Sequence, residues 1–395
     1  MRILFLNFCL ILALLLPGCS GRDPSFALEL ADKIIIDESQ LVLQHIPLQV
    51  EMIDESSMAM LNKSELCLYD TRSGKLLKRF DNSSLNGDSL VRATIGVEQA
   101  DSITILPPDT TGPEPLVQVR SFDHADGEYL IYVYVAYSYR YRSDERAQLE
   151  IKKLKLKLSD TAEAPILTVD GAAPFFILTD KNFSIKRIIS EQPSLGSRYG
   201  TYKIFPDMGF HRRRDEIVLR IYDQPAAFQL PPDQKITQRD SLPMVGLAQI
   251  ADKKISLKKE LLNTSAIPGY SYSSPEYGFS MRHYDLHNDT LLVSTEAGIF
   301  SLPGGKRFRM QRKLEANEKP RGPFKIYKER LLYCAGTDAD KGKTSTIKIL
   351  DPRSGELEFQ LPVSSSQFAV QGDTLLLVGR DAEHYYIERY AIVEN

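Results

Sequence analysis

Short apolar runs separated by turn residues dominate the chain. Residues 33–36, 41–43, 65–69, 129–137, 151–158, 216–222, 290–294, 330–333, 346–350, 374–378 and 385–392 are each brief. Most are rich in β-branched or aromatic side chains and bounded by Gly, Asn, Asp or Pro, which predicts β-strands. Residues 151–158 alternate, with Leu154, Leu156 and Leu158 on one face and Lys153, Lys155 and Lys157 on the other. That pattern predicts a strand with one wet side, not a basic groove. Helical periodicity is almost absent; residues 252–262 are its best candidate and read equally as a strand pair.

Two segments repeat each other. The run Asp70-Thr71-Arg72-Ser73-Gly74 aligns with Asp351-Pro352-Arg353-Ser354-Gly355, and each lies between two strand-like runs. Asp opens such a turn by bonding its own backbone, and Gly supplies the positive φ a tight hairpin needs. A strand–turn–strand unit near both ends of one chain predicts repeated blades. Short antiparallel strands without helices must hide their edges, and a closed ring of blades does so. At roughly 55–60 residues per blade, about 360 residues make six blades; a tighter ~45–50 makes seven or eight. The expected fold is therefore an all-β propeller of six, alternatively seven, blades. Residues 31–43 and 383–393 are placed to share one blade and close the ring. A pair of β-sandwiches is the competing architecture, with the Pro/Asp-rich stretch 230–243 as its least unsuitable boundary.

The amino terminus departs from this pattern. One positive charge, Arg2, precedes an apolar run over 3–16, followed by Pro17-Gly18-Cys19. This matches a secretory signal; the run is too short to span a membrane, and Pro17-Gly18 would break a continuing helix. Leu16-Pro17-Gly18-Cys19 resembles the lipobox of bacterial lipoproteins, which implies cleavage before Cys19 and lipidation of that residue. The expected organisation is a signal peptide over 1–18, a lipidated tether over 19–27 and one propeller domain over 28–395.

Composition adds limits. With 43% hydrophobic and 26% charged residues and no long low-complexity tract, the chain is globular. Losing Arg2 with the signal moves the formal net charge from −3 to −4, which offers no field for nucleic acid. Of the four cysteines, Cys9 and Cys19 belong to the signal and anchor; Cys67 and Cys334 sit in apolar strand-like runs. For that pair, two buried thiols are expected over a disulfide.

The anchor, the short tether and about 370 β-rich residues bearing D-x-R-S-G hairpins resemble the uncharacterised β-propeller lipoproteins of Bacteroidetes-type bacteria, described as six-bladed and TolB-like. The resemblance implies a propeller body hung from an envelope membrane, and it brings no catalytic residues. The chain has no Trp, so it lacks the Trp-Asp signature of WD repeats, and it lacks the paired glycines of kelch repeats.

Candidate chemistry is sparse. His283, Asp285 and His287 alternate on one side of a predicted strand and are the candidate metal ligands, although the two imidazoles lie about 13 Å apart if the strand is straight. The loop 336–344 has one residue too many for a phosphate-binding loop and is followed by a strand, so it reads as a hairpin tip. Arg212, Arg213 and Arg214, next to His211, form the densest basic cluster and are candidate ligand contacts, with Asp207, Asp215 and Glu216 beside them. Six tyrosines lie between 129 and 141, of which Tyr137 and Tyr139 are candidate contacts for a protein or glycan. No G-x-S-x-G, H-E-x-x-H or C-x-x-C motif occurs.

These readings converge on a membrane-anchored binding or interaction module of the bacterial cell envelope. The anchor is the lipid on Cys19 and the expected membrane the outer one. The partners are an envelope protein or glycan, not nucleic acid, and no cofactor is expected. The alternative is a propeller-type envelope enzyme, a hydrolase or lyase of glycans or peptides, which would need ionisable groups converging at the channel mouth.

Overall fold

The structure is a computed structural model. It describes residues 26–36, 49–62, 65–85, 90, 103–106, 117–141, 167–189, 195–197, 200–202, 210–213, 215–220, 243–251, 254–263, 281–287, 290–295, 298–303, 309–313, 318–337, 344–351, 354–363, 367–381 and 384–394. The signal, the lipobox and Cys19 lie outside these residues.

The chain forms six four-stranded antiparallel blades. Strand β1 (Phe26–Ile35) comes first and is used last. Blade 1 is the meander β2 (Gln49–Asp54), β3 (Ser57–Leu61), β4 (Leu66–Asp70) and β5 (Leu76–Phe80). A short strand, β6 (Ile103–Leu106), then pairs with the far end of β8. Blade 2 is β7 (Val117–Ala125), β8 (Glu128–Tyr141), β9 (Leu167–Asp180) and β10 (Ile185–Ile189). A separate hairpin follows, β11 (Leu195–Ser197) with β12 (Gly200–Tyr202). Blade 3 is β13 (Phe210–Arg213), β14 (Glu216–Arg220), β15 (Pro243–Ile250) and β16 (Ile255–Asn263). Blade 4 is β17 (Met281–His287), β18 (Thr290–Thr295), β19 (Gly298–Pro303) and β20 (Arg309–Lys313). Blade 5 is β21 (Glu318–Tyr327), β22 (Arg330–Thr337), β23 (Thr344–Leu350) and β24 (Leu357–Val363). Blade 6 is β25 (Phe368–Gln371), β26 (Thr374–Arg380) and β27 (Tyr385–Glu394), completed on its outer edge by β1. Phe26 pairs with Glu394 and Ile35 with Tyr386, so the two ends of the chain close the ring as the sequence suggested. Strand β1 starts at Phe26, so its first two residues come from the stretch expected as tether.

The core lies between blades. Six clusters of buried side chains fill the six interfaces, from Phe122 and Phe175 between blades 1 and 2 to Met58, Met60 and Leu376 between blades 6 and 1. Middle strands are covered on both faces, which is why β3 reads Ser-Met-Ala-Met-Leu and is buried throughout. Outer strands have one wet face: in β5, Leu77 and Arg79 are exposed while Phe80 is buried. Closure is packed as well as paired, since Phe26 sits edge-on to Tyr327 of blade 5 at 6.3 Å.

The D-x-R-S-G repeat occupies equivalent places, the turn between third and fourth strands of blades 1 and 5. Asp70 Oδ1 accepts from the Ser73 N–H (2.7 Å) and the Arg72 N–H (3.1 Å), and the Gly74 N–H bonds the Asp70 carbonyl (2.9 Å). The Gly355 N–H likewise bonds the Asp351 carbonyl at 2.8 Å. Gly74 is required twice over: its φ is +69°, and a Cβ there would stand 2.1 Å from the Ile35 carbonyl oxygen.

Several sequence readings meet the structure here. The helix candidate 252–262 is largely strand β16, because its apolar residues pack against β15 and blade 2 instead of forming a helical stripe. The stretch 230–243 is no boundary: β14 and β15 on either side of it pair within one blade. The expected hairpin tip at 338–343 lies outside the described residues; Thr337 and Thr344 on either side of it pair with each other. Cys67 and Cys334 are buried thiols with no disulfide between them; burial pushes the Cys67 thiol up to about 12.

Candidate functional site

The innermost strands β2, β7, β13, β17, β21 and β25 line the axis. Each begins its sheet, so one edge of its backbone has no strand partner. At one register of these strands the chain places Glu51, Asp123, His211, Asp285, Lys325 and Ala369. They lie opposite Ala59, Leu130, Val218, Leu292, Leu332 and Leu376 of the second strands, so they are structural equivalents. The residue before each is buried: Val50, Phe122, Phe210, Tyr284, Phe324 and Phe368. Strand alternation explains the pair, with the apolar residue facing the preceding blade and the ionisable one the following blade and the axis. Five blades thus supply an ionisable group to one layer, and the sixth supplies a methyl group.

Contacts run from blade to blade. His211 Nε2 donates to the Tyr284 carbonyl at 2.9 Å, which leaves Nδ1 3.7 Å from Asp285 Oδ1. Asp123 Oδ2 accepts the Arg212 N–H. Gln49, one pleat from Glu51, clamps Phe122 from both sides, donating to its carbonyl (2.7 Å) and accepting from its N–H (3.3 Å). The same Gln49 amide donates to Glu51 Oε1 at 3.0 Å. Lys325 Nζ reaches Glu51 Oε1 at 3.5 Å, crossing from blade 5 to blade 1 past the small Ala369. One role of the layer is therefore structural: side chains satisfy the open backbone edges of the inner strands.

Around the ring the order is Glu51, Asp123, His211, Asp285, Lys325, Ala369. Charges alternate except at Glu51 and Asp123, which are adjacent and alike. Burial, then the Glu51 charge, pushes the Asp123 carboxyl up to about 7 despite the help of His211 and the Arg212 N–H. Burial alone would depress His211; the Asp285 and Asp123 charges outweigh it and hold the imidazole above its usual value. Burial would likewise lower Lys325, but Glu51, Asp285 and Asp123 keep it raised. The His211 and Asp285 side chains retain 30% and 21% of their surface. Proton exchange at neutral pH and contact with a charged small molecule are both chemically available here.

The sequence candidates are distributed as follows. Asp285 is in the layer. His283 and His287 belong to the same strand, β17, but their side chains lie outside the described residues; among the described residues no three metal-ligating groups cluster. Arg212 is 6% exposed and donates through Nη2 to Glu128 Oε2 at 2.6 Å, linking blade 3 to blade 2. Glu128 also accepts from Lys186 at 2.8 Å, and these bonds hold its carboxyl below the usual range. Arg213 ends β13, while Arg214 and the Arg213 side chain lie outside the described residues. Tyr129 and Tyr132 are core residues; Tyr137 and Tyr139 pair with Gly171 and Val169 on the far half of β8, their side chains outside the described residues. Glu51, Asp123 and Lys325 were missed. Their signal was an apolar residue followed by an ionisable one just upstream of a hairpin turn, repeated from blade to blade.

Comparisons with known proteins show similarity at the level of shape. The AfRom2 CNH domain is matched at 9% identity and a TM-score of 0.40, over 92% of this chain and 100% of that one. The computationally designed Ika8 protein is matched at 10% identity and a TM-score of 0.38, with the same coverage. The extracellular domain of the one component system BT4673 from B. thetaiotaomicron is matched at 10% identity and a TM-score of 0.36, over 88% of this chain; the match spans 33% of that chain. No family model matches the sequence, and no curated protein matches it.

Proposed function

We propose that the chain is a lipoprotein anchored through Cys19 in the bacterial outer membrane, and that its propeller body is a binding module whose ligand meets the channel layer. The observation carrying this reading is the convergence of Glu51, Asp123, His211, Asp285 and Lys325 at one register of five inner strands. A rigid ring that presents ionisable groups along its axis suits a small polar ligand or a charged side chain of a partner. Arg212, which neutralises Glu128, positions the second and third blades; Tyr137 and Tyr139 remain proposed rim contacts and His283 and His287 proposed metal ligands beside Asp285. Two experiments test the reading. Palmitate labelling of cells expressing the chain should be lost in Cys19→Ser, and retained label would refute the anchor. Thermal-shift screening of the purified chain against amines, amino acids, sugar acids and zinc should yield a stabilising compound whose effect disappears in Glu51→Gln and Asp285→Asn. A stabiliser indifferent to both variants would refute the channel as its site.

A second reading, an envelope hydrolase or lyase, is favoured by one feature: a carboxyl group titrating at about 7 one blade away from an imidazole. Hydrolysis of envelope glycans or peptides that is lost in both Asp123→Asn and His211→Gln would establish it.

A further inference from the structure

A groove of about 350 Å³ opens at the seam where blade 6 meets blade 1. It lies on the face bearing the turns between first and second strands, and none of the five channel-layer residues lines it. Its walls are Met52 and Glu55 of blade 1, Arg72 of the blade 1 D-x-R-S-G turn, Gln371 at the end of β25, and Arg389 and Tyr390 of β27.

Three features define what it would hold. Arg72 sits in a turn that Asp70 fixes by bonding the Arg72 and Ser73 N–H groups, so its backbone is pre-positioned; its guanidinium is exposed and makes no hydrogen bond among the described residues. Arg389, by contrast, is bonded to Asp32 at 2.5 Å. Gln371 Oε1 is shielded from solvent and has no hydrogen-bond partner among the described residues. An orphan acceptor of this kind costs stability unless a ligand supplies the donor. Between these polar groups the half-buried Met52 offers apolar surface, while the Tyr390 ring, on the other face of β27 from Arg389, packs between blades 5 and 6. The rim acid Asp373 is neutralised by Lys328 at 2.9 Å and Tyr327 at 2.6 Å.

We propose that this seam groove captures the free carboxyl end of a peptide, with the terminal carboxylate on Arg72, a backbone N–H on Gln371 Oε1 and the last side chain against Met52. A carboxylate, a nearby amide donor and an apolar group occur together at a peptide C-terminus, and a guanidinium takes a carboxylate bidentately. The volume falls at the small end of ligand sites and suits one or two residues. Glu55 on the rim would repel a second carboxylate, so an acidic penultimate side chain disfavours binding. The site does not rest on the channel layer, and its failure would leave that reading standing.

The probes are N-acetyl-alanyl-leucine, its C-terminal carboxamide and acetate, titrated calorimetrically against the full chain. A charge-assisted bond predicts that the acid binds roughly 10–100-fold more tightly than the carboxamide, with acetate weaker than both. Arg72→Ala should bring the acid down to the carboxamide's affinity and leave the carboxamide unchanged. Gln371→Leu should weaken both peptides by roughly 5–10-fold and leave the melting temperature level or higher, since it removes an unpaired acceptor. Glu51→Gln in the channel should change none of these affinities. Equal binding of acid and carboxamide, indifference to Arg72→Ala, or no saturable binding at millimolar concentration would each overturn the proposal.

Discussion

Replacing Asp123 by asparagine keeps an acceptor for the Arg212 N–H and removes the charge that the channel layer tolerates least. In the folded chain this carboxyl titrates at about 7, against 3.8 for the free side chain. The folded state therefore holds more protons than the unfolded state between about pH 4 and 7. Stability from this group is fully present at low pH, falls as pH rises through that window and levels off above it. Integrated from pH 5 to 8, that displacement amounts to about 3 kcal/mol. The asparagine is neutral at every pH, so the stability of Asp123→Asn relative to the natural chain should rise by that amount between pH 5 and 8. Urea unfolding at pH 5, 6, 7 and 8 reads it directly. A difference that stays flat, or shrinks toward alkaline pH, would refute the account of Asp123.

Gly74→Ala should cost about 3 kcal/mol or more, read as a lower urea midpoint, because the added Cβ meets the Ile35 carbonyl and φ is +69°; an unchanged midpoint would contradict the turn geometry. Cys67 and Cys334 should resist a maleimide on the native chain at pH 8 and react on unfolding, as peptide mass spectrometry would show. A chain beginning at residue 37 loses Phe26 and Ile36 from two blade interfaces, at about 1.5–3 kcal/mol each, as well as the closing strand. It should melt at lower temperature and self-associate through the exposed edge of β27, and a melt as sharp and as high as that of the natural chain would count against closure by β1.

The fold was legible where local chemistry repeats. Asp70 to Gly74 and Asp351 to Gly355 announced equivalent hairpins because a short turn is fixed by its own residues, and the apolar runs near the two termini announced closure. Blade number was less legible, since the long connections within blade 2 and blade 3 hide the period. Residues 255–263 gave an ambiguous pattern because β16 carries both core and solvent positions with three register shifts against β15. The site was harder to read. Asp285 was visible as part of a histidine-rich strand, and His211 was visible as a neighbour of the arginines. Glu51, Asp123 and Lys325 each look like an ordinary surface charge until five inner strands are placed around one axis. Convergence across 274 residues, as between Glu51 and Lys325, is set by blade packing and leaves no local trace.

The central claim is that five ionisable groups from five blades form one coupled layer. The most direct test is the titration of His211 by ¹H–¹⁵N NMR of the histidine-labelled full chain, with His211→Gln to assign its signal among the six histidines. The account predicts a midpoint above the usual ~6.5 that moves down in Asp285→Asn and, by less, in Asp123→Asn. A midpoint at the free-imidazole value that responds to neither substitution would contradict it.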